Sequence, residues 1–437
     1  MKADLFFNSR SIAVIGAARE EWKVGHIIFK NLLALKHLRV FPVNPNAAQV
    51  LGERCFKDIL EIPYEIDLII VAVKADLVPE VMRNAGKKKV KAAVVLSAGF
   101  SEAGNSGLED EVRKLAEKFG IALLGPNCFG FLSPYKEINT TFFQGMPRKG
   151  GIAFISQSGA LGVAVLDWAI KENLGLSGFV SLGNSAQLDF SDFIEYFSQD
   201  EKTKVIALYM ESLKEGRGKR FIEACRKCRK PLIAIKSGKS RRGAEAAKSH
   251  TASLASEQGV YEGIFRQAGI IEVESISELF AVSDLYDKYS RMGKRAVIVT
   301  NAGGLGVLCT DSCEKNGVDI VKLPEDVKEK LNKFLPVGWS RNNPIDVVGD
   351  ALAERYKKTL EMLDKENWFD FFIVLLTPQH MTQALETAQI LTELKKPVLA
   401  CFMGGKKVEK AVEFLKKNNI PVFDDVYDFK VLGKIVR

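Results

Sequence analysis

Long apolar runs are absent from this sequence of 437 residues. No segment approaches the ~18 consecutive apolar residues that a transmembrane helix needs, and the opening residues MKADLFFNSR do not follow the pattern of a signal peptide. Hydrophobic residues make up 47% of the chain and charged residues 27%, which excludes a largely disordered chain. We therefore expect a folded, cytoplasmic protein with no membrane partner.

A strong excess of one charge is also lacking. The chain has 62 Lys and Arg against 54 Asp and Glu, a net charge of +8, and its basic residues are scattered apart from short clusters such as KKK at 87–89. This distribution excludes a dense nucleic-acid-binding patch, so we predict no nucleic-acid partner. A modest positive field would still favour a small anionic substrate.

Cysteine and histidine are scarce, with seven and four residues respectively. Two close cysteine pairs, Cys225 with Cys228 and Cys309 with Cys313, raise the question of a metal site. Both pairs fall in predicted helices, whereas the cysteine pairs of a zinc knuckle lie on turns. We therefore interpret them as packing positions and predict no metal.

Short runs rich in Val and Ile alternate with helical periods, the pattern of an α/β fold with parallel sheets and helices on both faces. Two polar or Pro/Gly-containing stretches, 132–150 and 287–294, interrupt this alternation. We predict three doubly wound, Rossmann- or flavodoxin-like domains: residues 1–130, 150–290 and 293–437. The strands are predicted near 11–16, 39–43, 67–73, 91–96, 121–124, 151–155, 177–181, 204–209, 231–236, 318–321, 371–376, 397–402 and 420–423, with one more at the start of AVIVTNAGGLGV.

The first strand-to-helix junction, IAVIGAAREEWKVG, offers backbone N–H groups and a helix N-terminus to a phosphate. A dinucleotide site fits it poorly, because Ala18 stands where the second Gly of GxGxxG belongs and no acid follows the second strand. A nucleotide-like ligand such as the ADP half of coenzyme A, or a purely structural turn, remains open. Val73-Lys74, Ser97-Ala98-Gly99 and Pro126-Asn127 follow further strands and should face the same ligand.

A histidine loop is the strongest local signal. Lys248-Ser249-His250-Thr251 lies in a basic loop, where a neutral imidazole can attack phosphorus and nearby cations favour the anionic product. Two helix starts rich in small residues, Gln157-Ser158-Gly159 and Ala302-Gly303-Gly304, can hold phosphate. Glu211, at the end of a strand, is a candidate to orient the imidazole. The alternatives are an exposed loop histidine, helix starts shaped for tight packing and an ordinary strand-end carboxylate.

These motifs together resemble one family. The first junction, VNP, GPNCFG, SQSGALG, SLGN, YMES, the K-S-G-K-S-x-x-G-A-x-A-A-x-S-H-T block, TNAGGLGV and NPIDVVGD are similar to the alpha subunit of ADP-forming acetyl-CoA synthetases (acetate-CoA ligases), in the succinyl-CoA synthetase superfamily. The histidine block is specific, whereas the glycine turns are common to many folds. The resemblance covers nearly the whole chain.

The resemblance implies roles for individual residues. His250 is the phosphoryl acceptor and Glu211 its orienting carboxylate. The implied coenzyme A contacts are Gly16, Ala17, Asn44, Pro45, Ser97, Gly99 and Asn127. The implied phosphate contacts are Ser156, Gln157, Ser158, Gly159, Ala160, Asn301, Ala302, Gly303 and Gly304.

The resemblance also implies a reaction and a partner. The expected reaction is the reversible conversion of acyl-CoA, ADP and phosphate to acid, ATP and CoA through an acyl phosphate and phosphohistidine, with an acetate-type acid. No segment reads as an ATP-grasp domain, so the ADP or ATP and Mg²⁺ are expected on a separate ATP-grasp beta subunit in an α2β2 assembly. Two alternatives remain: a non-catalytic acyl-CoA-binding regulatory module, and an NAD-linked dehydrogenase, which the first junction disfavours.

Overall fold

A computed structural model describes residues 1–240, 242–243 and 258–436 of the chain. The chain divides into two compact units, residues 1–283 and 284–437. The first unit contains two large sheets and the second contains one. None of the helices in the described ranges is both long and apolar enough to cross a lipid bilayer.

The first sheet is parallel and has five strands in the order β2-β1-β5-β6-β7. Its central strands are buried on both faces, as their Val- and Ile-rich sequences predict. The strands of this part are β1 (Ser11–Ile15), β2 (Arg39–Val43), β3 (Gln49–Val50), β4 (Glu53–Arg54), β5 (Leu68–Val71), β6 (Ala92–Val95) and β7 (Ala122–Leu124). The helices are α1 (Asp4–Phe7), α2 (Val24–Leu33), α3 (Val78–Lys87) and α4 (Ser106–Phe119).

The second sheet has seven strands in the order β14-β13-β12-β10-β11-β8-β9, with β8 and β9 antiparallel and the others parallel. Its strands are β8 (Phe131–Ser133), β9 (Ile138–Asn139), β10 (Arg148–Ser156), β11 (Gly175–Ser181), β12 (Val205–Met210), β13 (Leu232–Lys236) and β14 (Ile271–Glu272). The helices are α5 (Gly159–Lys171), α6 (Phe190–Gln199), α7 (Gly218–Lys227), α8 (Gln258–Ala268) and α9 (Ile276–Lys288).

The second unit is built on a parallel sheet in the order β16-β15-β18-β19, with β17 also paired to β15. The strands are β15 (Arg295–Thr300), β16 (Asp319–Ile320), β17 (Ile345–Asp346), β18 (Phe371–Leu376) and β19 (Val398–Phe402). The helices are α10 (Gly303–Lys315), α11 (Glu325–Asn332), α12 (Ala353–Leu363), α13 (Ala384–Leu391) and α14 (Lys406–Lys417), and a 3-10 helix covers Val426–Lys434.

The structure confirms the α/β class and corrects two of the elements predicted from the sequence. The stretch 132–150, read as a loop, contains β9 and parts of β8 and β10. The strand predicted at 420–423 is reduced to a single bridge between Val422 and Ala400. All seven cysteines are free thiols, and Cys309 and Cys313 face each other on α10 with their sulfurs 4.0 Å apart.

Candidate active site

The turn after β1 is tied to the end of β2. Gly16 has a φ of +90°, which glycine adopts without strain, and its N–H donates to the carbonyl of Val43 at 2.9 Å. The side chain of Asn44 donates to the carbonyl of Ala17 at 2.8 Å. Ala17 is buried and Pro45 is exposed. The structure therefore brings Gly16, Ala17 and Asn44 together at the carboxyl end of the first sheet.

The loops after β6 and β7 meet at the same edge. The Ser97 hydroxyl donates to the carbonyl of Val73 at 2.6 Å, and the N–H of Asn127 donates to the carbonyl of Ser97 at 2.9 Å. The N–H of Gly99 donates to the carboxylate of Glu102 at 2.6 Å. These bonds give the predicted coenzyme A contacts a fixed backbone.

The turn between β10 and α5 is held by its own side chains. The Ser156 hydroxyl accepts the N–H of Ser158 at 3.1 Å and donates to the carbonyl of the same residue at 2.9 Å. Ser158 is the N-cap of α5, and its hydroxyl accepts the N–H of Leu161. The start of α5 is thereby rigid, and the dipole of the 13-residue helix favours an anion there.

The second unit repeats this turn between β15 and α10. The Thr300 hydroxyl accepts the N–H of Ala302 at 3.0 Å and donates to its carbonyl at 3.2 Å, as Ser156 does with Ser158. Asn301 uses its amide to bond both the N–H and the carbonyl of Thr377, at 2.9 Å each. The carboxylate of Asp346 lies beside Gly303, within 2.7 Å of where a Cβ on that glycine would stand. The two helix starts predicted to hold phosphate, Gln157-Ser158-Gly159 and Ala302-Gly303-Gly304, are therefore supported by matching hydrogen bonds.

A cavity of about 750 Å³ lies in the first unit. It joins three groups of predicted residues: Ser97 and Asn127 from the first sheet, Gln157 to Ala160 at the start of α5, and Glu211 after β12. Its remaining wall is largely apolar. The apolar lining residues are Val24, Ala72, Val73, Leu96, Ala98, Cys128, Phe129, Phe142 and Val163.

A charged network closes one side of the cavity. Lys214, a lining residue, donates to the buried carboxylate of Glu109 on α4 at 2.7 Å. The side-chain NH2 of Asn184, also in the lining, donates to the carboxylates of Glu102 at 2.5 Å and Glu109 at 2.8 Å. Burial by itself would raise the pKa of Glu109, but the hydrogen bonds from Lys214, Ser101 and Asn184 outweigh it and hold that pKa below its usual value. Glu109 is therefore ionised at neutral pH.

A second lysine lies near Glu211. Lys236 ends β13, the strand paired directly with β12, and lies opposite Met210. Its ammonium is 4.6 Å from the ring centroid of Tyr261. Burial lowers the pKa of Lys236, and the negative charge of Glu211 acts in the opposite direction. The carboxylate of Glu211 thus lies in the field of a partly buried cation.

The predicted site residues separate into three groups. The cavity is lined by Ser97, Asn127, Gln157, Ser158, Gly159, Ala160 and Glu211. Outside its lining are Gly16, Ala17, Asn44, Pro45, Gly99 and Ser156, together with Asn301, Ala302, Gly303 and Gly304 of the second unit. His250 and its loop lie outside the described residues.

The lining residues that were not singled out from the sequence include Asn184, Lys214 and Phe142. Asn184 stands in the SLGN motif, which marked its position but not its partners. Phe142 is 36% exposed and packs edge-on against Phe129, with 4.4 Å between ring centroids. Nothing in the local sequence distinguishes Lys214 from the other basic residues of the chain.

Three families match successive parts of the chain. They are described as CoA binding domain, over residues 10–134, succinyl-CoA ligase like flavodoxin domain, over 149–286, and ligase-CoA domain, over 296–434. Their order is the order of the sheets along the chain.

Individual relatives match over nearly the whole chain. The Archaeoglobus fulgidus acetate–CoA ligase [ADP-forming] I is 42% identical over 98% of this chain, which spans 63% of that protein's length. The alpha subunit of the Pyrococcus furiosus acetate–CoA ligase [ADP-forming] II is 40% identical over 96% of this chain and 94% of its own length. In a solved complex with phosphate and ADP, the Ca. Korarchaeum cryptofilum dinucleotide forming acetyl-coenzyme A synthetase 1 superposes with a TM-score of 0.94 at 36% identity, covering 100% of this chain and 96% of that one. This chain therefore belongs to the family of ADP-forming acetate–CoA ligases and is similar to their alpha subunits along almost their entire length.

Proposed function

We propose that this chain is the CoA-binding and phosphoryl-carrying chain of an ADP-forming acyl-CoA synthetase, which converts acyl-CoA, ADP and phosphate reversibly to acid, ATP and CoA. One observation carries the proposal. Ser97 and Asn127, the N-terminal turn of α5 and Glu211 line a single cavity of about 750 Å³. A thioester and a phosphate can therefore meet in one place, beside the carboxylate proposed to orient His250.

In the energy-conserving direction, a phosphate oxygen attacks the thioester carbonyl. The carbon–sulfur bond breaks, CoA leaves as a thiolate that takes up a proton, and an acyl phosphate remains. Both the tetrahedral intermediate and the phosphate carry negative charge on oxygen. The start of α5, from Ser158 to Ala160, presents backbone N–H groups and the positive end of the helix dipole to this charge.

His250 then attacks phosphorus, the bond between phosphorus and the acyl oxygen breaks, and the acid leaves as a carboxylate. Glu211 accepts the other imidazole N–H, which fixes the tautomer and favours the cationic character that develops on the ring. The coenzyme A contacts at Gly16, Ala17, Asn44, Pro45 and Gly99 and the phosphate contacts at 301–304 belong to the same proposal.

The nucleotide, ADP or ATP, and Mg²⁺ belong on an ATP-grasp beta subunit, in an α2β2 assembly. Among the described residues of this chain, no group of three or more His, Cys, Asp or Glu is arranged to hold a metal ion. An acetate-type acid is the proposed substrate, since the named relatives at about 40% identity are acetate–CoA ligases.

The test is direct labelling of the full chain. Acetyl-CoA and ³²P-phosphate, without nucleotide, should give an acid-labile and base-stable protein phosphate, and His250→Asn should abolish it. Glu211→Gln should slow labelling roughly 10- to 100-fold, the scale of losing a group that orients an imidazole. His380, an exposed histidine of the second unit, supplies the matched control His380→Asn. Full labelling of His250→Asn would refute the proposal, and saturable acetyl-CoA binding without any labelling would favour the regulatory module instead.

A further inference from the structure

The cavity wall carries a positively charged side chain, Lys214, that the proposed function does not use. Of the residues found in its lining, Lys214 alone carries a positive charge, and Glu211 carries the only negative one. Glu109 accepts one of the three ammonium N–H bonds of Lys214, and 39% of the lysine side chain is exposed. Lys214 can therefore contact a ligand in the cavity while keeping its bond to Glu109.

The backbone that carries Lys214 is held in place just before the lysine. Gln157 bonds the N–H groups of Glu211 and Ser212 and the carbonyl of Ser212. The N–H of Leu213 donates to the hydroxyl of Tyr261 at 2.7 Å. Four hydrogen bonds over three residues fix the segment, so Lys214 starts from a defined position on the cavity wall.

Glu109 in turn fixes the direction of the lysine side chain. Its carboxylate is 8% exposed and also accepts from the Ser101 hydroxyl and from Asn184. A buried, hydrogen-bonded carboxylate holds an ammonium group more firmly than an exposed one, because water screens the pair less. Glu109 is a positioning residue for Lys214.

We propose that Lys214, which lines the same cavity as the N-terminus of α5, binds an oxygen of the phosphate that attacks the thioester, an inference that rests on the proposed function. A phosphate dianion that shares a cavity with the Glu211 carboxylate is repelled unless a cation lies close by. Lys236 also lies near Glu211 but is not among the lining residues, whereas Lys214 lines the cavity and supplies a cation there. Lys214 exchanges no proton in the step. The phosphate oxygen forms the new bond to the acyl carbon, the carbon–sulfur bond breaks, and CoA leaves as a thiolate that takes up the proton lost by the phosphate. The negative charge of the acyl phosphate stays on oxygens that Lys214 and the helix N-terminus contact.

The test compares how labelling of the full chain by acetyl-CoA and ³²P-phosphate depends on each substrate. We expect Lys214→Met to raise the half-saturating phosphate concentration about 10- to 100-fold, the loss of one charge-assisted hydrogen bond, while half-saturation by acetyl-CoA changes less than about threefold. Lys214→Arg should restore most of the phosphate dependence, and Glu109→Gln should shift it in the same direction as Lys214→Met by a smaller factor. Lys219→Met, an exposed lysine nearby on α7, is the matched control.

The outcomes separate the two proposals. Unlabelled wild-type chain would overturn the proposed function and this inference with it. Labelled wild type together with an unshifted phosphate dependence in Lys214→Met would overturn this inference alone. Equal shifts for phosphate and acetyl-CoA would also overturn it, because a general distortion of the cavity affects both substrates. Thermal unfolding of each variant and calorimetric binding of acetyl-CoA confirm that the folded cavity is being compared.

Discussion

Gln157 holds the backbone of Glu211. Its side-chain oxygen accepts the N–H of Glu211 at 2.6 Å and that of Ser212 at 3.0 Å, while its NH2 donates to the carbonyl of Ser212 at 2.8 Å. The residue immediately after β10 thus fixes the residues immediately after β12. The carboxylate of Glu211 and the phosphate-binding turn at the start of α5, both proposed site elements, are thereby joined into one rigid unit.

Replacing Gln157 with methionine should therefore weaken both stability and activity. The methionine side chain has a similar length but makes none of the three bonds, so we expect a loss of about 2 to 4 kcal/mol in the free energy of unfolding, at about 1 kcal/mol for each bond. Labelling of His250 should slow as well, because Glu211 loses its fixed position. Chemical denaturation and the ³²P assay measure the two effects.

Gln144, an exposed glutamine, gives the control Gln144→Met. If Gln157→Met unfolds at the same denaturant concentration as this control, the three hydrogen bonds contribute no stability and the rigid connection is wrong.

The parallel strands of this chain could be predicted because buried parallel strands have continuous apolar sequences. The bounds of β1, β2, β18 and β19 agree with those predicted from the sequence to within a residue or two. The errors lie in short strands whose pairing depends on distant residues. The chain at 131–133 pairs with the nearby strand β9, and it joins the seven-stranded sheet through antiparallel pairing with Phe179 and Val180 of β11, 47 or more positions away. Local sequence carries no record of such a partner.

The candidate site also has parts that could be predicted from the sequence and parts that could not. Helix starts and strand ends follow from local patterns, so Ser158 and Glu211 could be placed at one sheet edge. The contact of Lys214 with Glu109 spans 105 positions and joins parts of the chain associated with different sheets. No spacing rule predicts such a pair. The sequence also does not predict that the side-chain amides of Gln157 and Asn301 bond backbone groups of neighbouring loops, because these contacts exist only in the folded turn.

Gly16 should tolerate no side chain. Its φ is +90°, and an added Cβ would stand 2.4 Å from the carbonyl oxygen of Ala72, the residue that follows β5. Gly52 has a similar φ of +83° with nothing within 4 Å of a Cβ. We expect Gly52→Ala to cost about 1 to 2 kcal/mol, the penalty of the left-handed backbone. Gly16→Ala should cost about 3 kcal/mol or more, because the clash adds to it.

Thermal and chemical unfolding of the two variants measure the difference directly. Equal losses in Gly16→Ala and Gly52→Ala would mean that the turn after β1 moves away from Ala72 freely, contrary to the close approach seen here.

Cys128 lines the cavity but should take no part in acyl transfer. Burial raises the pKa of its thiol to about 12, and the sulfur donates to the carbonyl of Val95 at 3.3 Å. The thiol is therefore protonated at neutral pH, whereas the nucleophile in acyl transfer would be the thiolate. Cys128→Ala should therefore keep the labelling rate within a few-fold of wild type. Rapid alkylation of Cys128 by iodoacetamide in the folded protein, with loss of labelling, would contradict this expectation.

The buried Glu109 should make stability depend on pH on the acid side. Its pKa is depressed below the usual 4.5 by Lys214, Ser101 and Asn184, against the effect of burial. In the unfolded chain these partners are gone, so between the folded pKa and about 4.5 the unfolded state binds more protons. The contribution of Glu109 is then fully present above about pH 5 and is lost as the pH falls through the folded pKa.

Glu109→Gln, which cannot ionise, should reduce the slope of unfolding free energy against pH in this window, by at most ~1.4 kcal/mol per pH unit for one group. Urea unfolding from pH 6 to pH 3, with the exposed Glu53→Gln as control, measures that slope. Equal slopes in the two variants would show that the network around Lys214 and Asn184 does not hold the carboxylate in its charged form, because a side chain in water and one held by three partners would then respond to protons alike.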